Sequence, residues 1–134
     1  MSMEKILNFL KANPVFFFAT VDGDKPRVRP FGFYMCYEGK LYFGMGTHKE
    51  SYRQIKANPN VEICTANANG QWLRIRGKAV LDDRPEVVAK AFETMPQLKQ
   101  IYNEQTGYTI GLLYLQDAEA EFADLQGNFE KLNF

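Results

Sequence analysis

Apolar residues recur along this chain in two rhythms, one of helices and one of strands. From Met3 to Ala12, Ile6, Leu7 and Leu10 fall at helical spacing, and Asn13-Pro14 ends the segment, which predicts an opening helix. Val15 to Val21 is β-branched and aromatic, and Asp22-Gly23-Asp24 carries the turn chemistry expected after a strand. A second strand is expected from Pro26 to Tyr37. Side chains alternate along a strand, so Phe31, Phe33, Met35 and Tyr37 should share one face, and Gly32, Tyr34 and Cys36 the other. Glu38-Gly39 closes a hairpin into the aromatic stretch Lys40 to Met45.

The rhythm then changes. Thr47-His48-Lys49-Glu50 fits a capping box with Thr47 as N-cap, opening a helix through Tyr52, Ile55 and Lys56 to Asn58-Pro59. Strands follow at Asn60 to Ala66 and at Gln71 to Leu81. Asp83-Arg84-Pro85-Glu86 reads as an N-cap with an early proline, opening a helix through Val87, Val88, Ala91 and Phe92. Met95-Pro96 interrupts it, and Pro96 to Tyr102 predicts a further short helix. Thr109 to Leu115 and Ala118 to Leu125 read as two strands or one bent strand, while Gly127 to Phe134 carries no clear pattern. Many short consecutive strands with a few helical excursions predict a mainly β fold, an antiparallel barrel with helices. Periodicity alone does not separate a barrel from a sandwich. No repeat, low-complexity tract or linker divides the chain, so residues 1–134 read as one domain.

Composition narrows the function. With 46% hydrophobic and 24% charged residues, the chain reads as a soluble globular protein. Sixteen basic residues balance sixteen acidic ones, so the excess needed to neutralise nucleic-acid phosphates is missing. The longest apolar runs, such as Pro14 to Val21, are too short to span a bilayer, and the opening residues lack the regions of a signal peptide. The expectation is a cytoplasmic protein without nucleic acid or membrane as partner. Cys36 and Cys64 read as buried, reduced thiols in strand-like stretches, with a disulfide left open. One histidine, His48, cannot make a zinc site.

Three stretches could carry chemistry. Around Gly44-Met45-Gly46-Thr47-His48-Lys49 a strand passes into a helix, where glycines admit a ligand and the helix start favours a phosphate. The same residues fit an ordinary capped helix with a solvated lysine. In Arg27-Val28-Arg29-Pro30 the two arginines share a strand face and could hold a phosphate with fork geometry. A charged, solvent-facing edge strand fits equally. In Gln71-Trp72-Leu73-Arg74-Ile75-Arg76-Gly77 the only tryptophan shares a face with two arginines, either beside a bound aromatic ring or filling the barrel mouth or a dimer contact. His48 fits a proton donor or a plain surface residue. No nucleophile stands with it in a triad pattern, so the side chains supply little chemistry and a cofactor is implied.

The ordered succession of these stretches resembles a known family. An Arg-x-x-Pro strand is followed by Gly44 to Gly46, then Thr47-His48-Lys49 with Tyr52 and Asn58-Pro59. Asn60-Val61-Glu62-Ile63 and Trp72-Leu73-Arg74-Ile75-Arg76-Gly77-Lys78-Ala79 complete it. This resembles the pyridoxamine 5′-phosphate oxidase-like FMN-binding split-barrel family, in particular its short members grouped with nitroimidazole-resistance proteins. The resemblance implies a split β-barrel that binds FMN at a homodimer interface, each site built from both subunits. It implies cofactor binding by Arg27, Val28, Arg29 and Pro30 on one strand, by Met45, Gly46, Thr47 and Lys49 at the helix start, and by Trp72. It further implies a small-molecule electron donor and acceptor: a nicotinamide, and a nitroaromatic or quinone. Deazaflavin use, or a flavin-binding or sensing module without turnover, stays open beside it. The longer oxidases carry a C-terminal Arg-x-His-type substrate segment, whereas Gly127 to Phe134 has neither residue, so vitamin B6 oxidation is not expected.

Overall fold

A computed structural model describes residues 2–134. Helix α1 (Ser2–Ala12) leads into the hairpin of β1 (Phe16–Asp22) and β2 (Lys25–Phe31), then that of β3 (Tyr34–Tyr37) and β4 (Lys40–Gly46). Helix α2 (Glu50–Ala57), strands β5 (Asn60–Ala66) and β6 (Gln71–Leu81), and helix α3 (Pro85–Thr94) follow. A 3-10 segment, Pro96–Gln100, precedes the long β7 (Ile110–Asp124) and the final β8 (Phe129–Asn133). The strands pair in the order β2-β1-β5-β6-β7-β4-β3, with β8 on β7, and coil into a split β-barrel.

Strict alternation builds the barrel core. In β1, Phe16, Phe18 and Thr20 are buried while Phe17 between them is 49% exposed. Phe43 meets Phe16 and Phe18 edge-on at 5.4 and 5.6 Å, and Phe31 stacks on Phe18 at 4.9 Å. These are the preferred aromatic geometries. Ile63, Ile75 and Leu113 fill the remaining space, and α1 adds Ile6 and Leu10. A second cluster gathers Phe33, Met35 and Tyr42 against Val87 and Ala91 of α3 and Leu98 of the 3-10 segment.

Two clusters instead of one explain where the pattern misled. The expected strand from Pro26 to Tyr37 breaks at Gly32-Phe33, because the chain leaves its pairing with β1 at Phe31 and begins pairing with β4 at Tyr34. Phe31 therefore packs with the barrel core, whereas Phe33 and Met35 enter the second cluster. The last third is one bent strand. Asp117 (φ 53°) and Ala118 stand opposite the single Gly77, where an added Cβ would lie 3.2 Å from Ala118 Cβ and from the Gln116 carbonyl oxygen. This is the geometry of a bulge, packed closely against Gly77. The segment after Met95 is a 3-10 segment, and the tail forms β8. Cys36 and Cys64 are both free thiols, half-buried instead of buried. Among the described residues no helix is long and apolar enough to cross a membrane.

Candidate functional site

Register fixes the directions of the β2 side chains. Arg29 lies opposite Phe18 and Arg27 opposite Thr20, so both arginines project to the inner face, as alternation predicts. Val28 and Pro30 lie opposite Ala19 and Phe17 and face outward. Arg29 Nη1 donates to the Phe18 carbonyl (3.2 Å) and to Thr20 Oγ1 (2.8 Å), and Nη2 donates to Gln54 Oε1 (3.1 Å). Thr20 Oγ1 in turn donates to Gln54 Oε1 at 2.6 Å, and both residues are buried. The guanidinium is thus held by neutral acceptors alone. Among the described residues Arg29 is the one arginine without an ion pair, since Arg27, Arg53, Arg74, Arg76 and Arg84 all have carboxylate partners. Partial burial, and then repulsion from Arg27, lower its pKa. A half-buried cation without a counter-charge is a site poised for an anion.

The turn from β4 into α2 differs from the capping box. Lys49, with φ −78° and ψ 150°, is the N-cap of α2, and no side chain caps the helix. Thr47 is displaced from that role because its N–H donates to the Thr109 carbonyl at 2.9 Å, which ties the turn to β7. Lys49 N–H closes the turn on the Gly46 carbonyl at 3.0 Å. The first N–H groups of α2 have no acceptor within the helix, which adds donors and positive potential beside Lys49. Gly111 makes room for the ring of Tyr52, which would collide with a Cβ at that position. The ring of His48 occupies the corresponding space over Gly46 and stacks on Tyr108 at 3.8 Å and 12°.

Arg29 and Lys49 open into one cleft of about 710 Å³. On the α2 side it is lined by Arg29, Lys49, Glu50 and Ser51, and Glu50 is already engaged by Arg53 at 2.5 Å. Pro30, Gly32, Phe33, Gly44 and Met45 form the floor, and Met95, Leu98 and Tyr102 the far wall. Ser51 Oγ donates to Met45 Sδ at 3.3 Å, fixing the floor against α2. Of the residues singled out in the sequence, the cleft gathers Arg29, Pro30, Met45 and Lys49. Arg27 stands beside it, 3.4 Å from Asp22, Val28 faces outward, and Gly46 and Thr47 lie in the turn behind Lys49. Trp72 lies elsewhere, in a cleft of about 570 Å³ between α1, β6 and β8. Sequence reasoning missed Ser51, Leu98 and Tyr102, whose spacing marks them only as helix residues, and Met95, which it marks only as a helix interruption.

A family model described as pyridoxamine 5′-phosphate oxidase matches residues 2–120. The chain belongs to this family. Among solved structures, a NimC/NimA family protein from Clostridium acetobutylicum is 41% identical over 98% of this chain and 92% of its own, with a TM-score of 0.90. A pyridoxamine 5′-phosphate oxidase-related, FMN binding protein from Nostoc punctiforme is 18% identical, covering 98% of this chain and 95% of its own, with a TM-score of 0.62. A heme binding protein from Mycobacterium smegmatis is 14% identical over 99% of this chain and 58% of its own, with a TM-score of 0.72. The last two likenesses carry the fold alone. No curated protein matches the sequence. The pyridoxamine 5′-phosphate oxidase family thus includes this chain on both sequence and fold, and the Arg29–Lys49 cleft is its candidate site.

Proposed function

We propose that this family member binds FMN in the Arg29–Lys49 cleft and acts as a homodimeric oxidoreductase, passing electrons from a nicotinamide to a small acceptor such as a nitroaromatic or quinone. The observation that carries this reading is the pair of cations at one end of the cleft, neither with a carboxylate partner among the described residues. A phosphate monoester carries a charge near −2 and several strong acceptor oxygens, matching a fork donor, an ammonium and a helix start. The Gly32 backbone in the floor, where an added Cβ would meet only the Pro14 carbonyl oxygen at 3.9 Å, leaves room for a flat ring beyond the phosphate. When bound, the flavin supplies the hydride chemistry. The chain's own residues bind the phosphate through Arg29 and Lys49, orient the ring between the strand floor and the apolar wall, and exclude water from it.

The outer face of the β1–β2 hairpin supports the dimer. Val15, Phe17 and Val28 are 59%, 49% and 67% exposed, and Phe17 is flanked by Pro30 on β2 and Cys64 on β5. A contiguous apolar sheet face of this kind favours burial against a second copy. Pro30 belongs to both this face and the cleft lining, so a docked partner would help to complete the cleft.

The test is a visible spectrum of the purified protein with added FMN, followed by anaerobic NADPH. A perturbed flavin spectrum that bleaches with NADPH supports the oxidoreductase. Perturbation without bleaching favours a binding or sensing module. An unperturbed FMN spectrum removes FMN and leaves a deazaflavin to be tried in the same way.

A further inference from the structure

The far end of the cleft differs in chemistry from its cationic end. Met95, Leu98 and Tyr102 form its wall, with Phe33 beside them, and no charged side chain lines that half. A second cleft of about 410 Å³ lies next to it, lined by Val88 and Phe92 of α3 and by Tyr108 and Thr109 ahead of β7. Tyr102 lines both clefts. Tyr102 therefore stands at the boundary between them.

The partition is anchored on both sides along the chain. Tyr102 N–H donates to the Leu98 carbonyl at 2.9 Å, and Leu98 is 7% exposed in the cluster beneath α3. On the other side, Thr106 Oγ1 donates to the Ile101 carbonyl at 2.6 Å, and Gly107 N–H to the Asn103 carbonyl at 2.9 Å. Among the described residues the Tyr102 hydroxyl has no hydrogen-bond partner, so nothing in the chain depends on it. A ring held this way selects by size.

Resting on the flavin reading above, we propose that Tyr102, backed by Met95 and Leu98, is the specificity-determining wall of the acceptor site. The acceptor is a flat, uncharged single ring that fits between the flavin position and Tyr102. Phosphorylated or carboxylated acceptors are disfavoured there, because that half offers no cation to replace their lost hydration. Truncation of Tyr102 joins the second cleft to the first and admits fused two-ring compounds.

The experiment is calorimetric titration of FMN-loaded protein with nitrobenzene and with 1-nitronaphthalene, alongside KM for both compounds. Wild-type protein should prefer the single ring by tenfold or more. Tyr102→Ala should abolish or invert that preference, and Tyr102→Phe should keep it, each measured on protein confirmed to carry bound FMN. Tyr102→Leu, which retains more packing, serves should the alanine variant fail to fold. An unchanged preference in the truncated variants, or its loss in Tyr102→Phe, would overturn the proposal, as would a wild-type protein that binds neither compound. Should FMN fail to bind, the flavin reading fails separately, and the same titrations on the flavin-free chain still decide whether Tyr102 partitions the clefts.

Discussion

Replacing Arg29 by alanine separates a ligand-binding cation from a structural one. In the flavin-free chain the substitution removes three hydrogen bonds to neutral acceptors, but it also removes a half-buried charge that has no counter-ion. Thr20 and Gln54 keep their own 2.6 Å hydrogen bond. The flavin-free melting temperature should therefore fall by only a few degrees. Binding is another matter, since a hydrogen bond to a charged phosphate contributes about 1.5–3 kcal/mol, roughly 10–150-fold in Kd. At FMN concentrations a hundred times the wild-type Kd, the ligand stabilises the fold by about 2.7 kcal/mol. A hundredfold weaker variant at the same concentration gains only about 0.4 kcal/mol. For a domain of 134 residues, 1 kcal/mol moves the midpoint by roughly 3–5 °C. Circular-dichroism melts should then show an FMN-induced rise of about 10 °C in the wild type and about 1–2 °C in Arg29→Ala. Arg29→Lys keeps the charge, loses the fork and should fall between. An undiminished rise in Arg29→Ala would refute the assignment of Arg29 to the phosphate.

Four further outcomes follow from the same structure. Lys49→Ala should raise the FMN Kd about tenfold or more in a fluorescence titration, because Lys49 supplies the second cation at the same end of the cleft. Asp82 accepts from Tyr42 Oη at 2.6 Å and from Arg84 Nε at 2.9 Å, and the hydrogen bonds from Arg84 chiefly hold its pKa down to about 2. A depressed carboxylate stabilises the fold above its unfolded pKa near 4, so about 2 kcal/mol should disappear from urea midpoints as pH falls from about 4 to 2. Burial first, then the bond to Asp82, pushes Tyr42 up to about 12. Its contribution is intact below pH 10 and should be lost as pH rises through 12, and Tyr42→Phe should abolish that alkaline limb. Phe17→Asp places a charge in the exposed apolar face of β1 and should convert a dimer to a monomer by light scattering.

Much of this architecture was legible because local rules and tertiary contacts agree. Strands β5 and β6 lie at their expected residues, and Arg27 and Arg29 share the inner face that strand alternation requires. Misreadings arose where long-range pairing overrode local pattern. Thr47 has the chemistry of an N-cap, yet its N–H is claimed by Thr109, which moves the helix start to Lys49. Phe31 and Phe33 were expected on one face, but the exchange of strand partners between them sends each to a different core. Trp72 sits on the strand expected for it, while the coil of the sheet carries that position to another cleft. Met95, Leu98 and Tyr102 gave no signal, because helical spacing does not reveal that a wall will face a cleft built from β2 and β4.

The most direct test of the central claim is titration of a fixed, submicromolar FMN solution with the flavin-free protein, following flavin emission. A saturable change reaching one FMN per chain, weakened at least tenfold in both Arg29→Ala and Lys49→Ala, is the expected result. Emission that does not change at micromolar protein, or that changes equally in wild type and both variants, would contradict a flavin phosphate bound between Arg29 and Lys49.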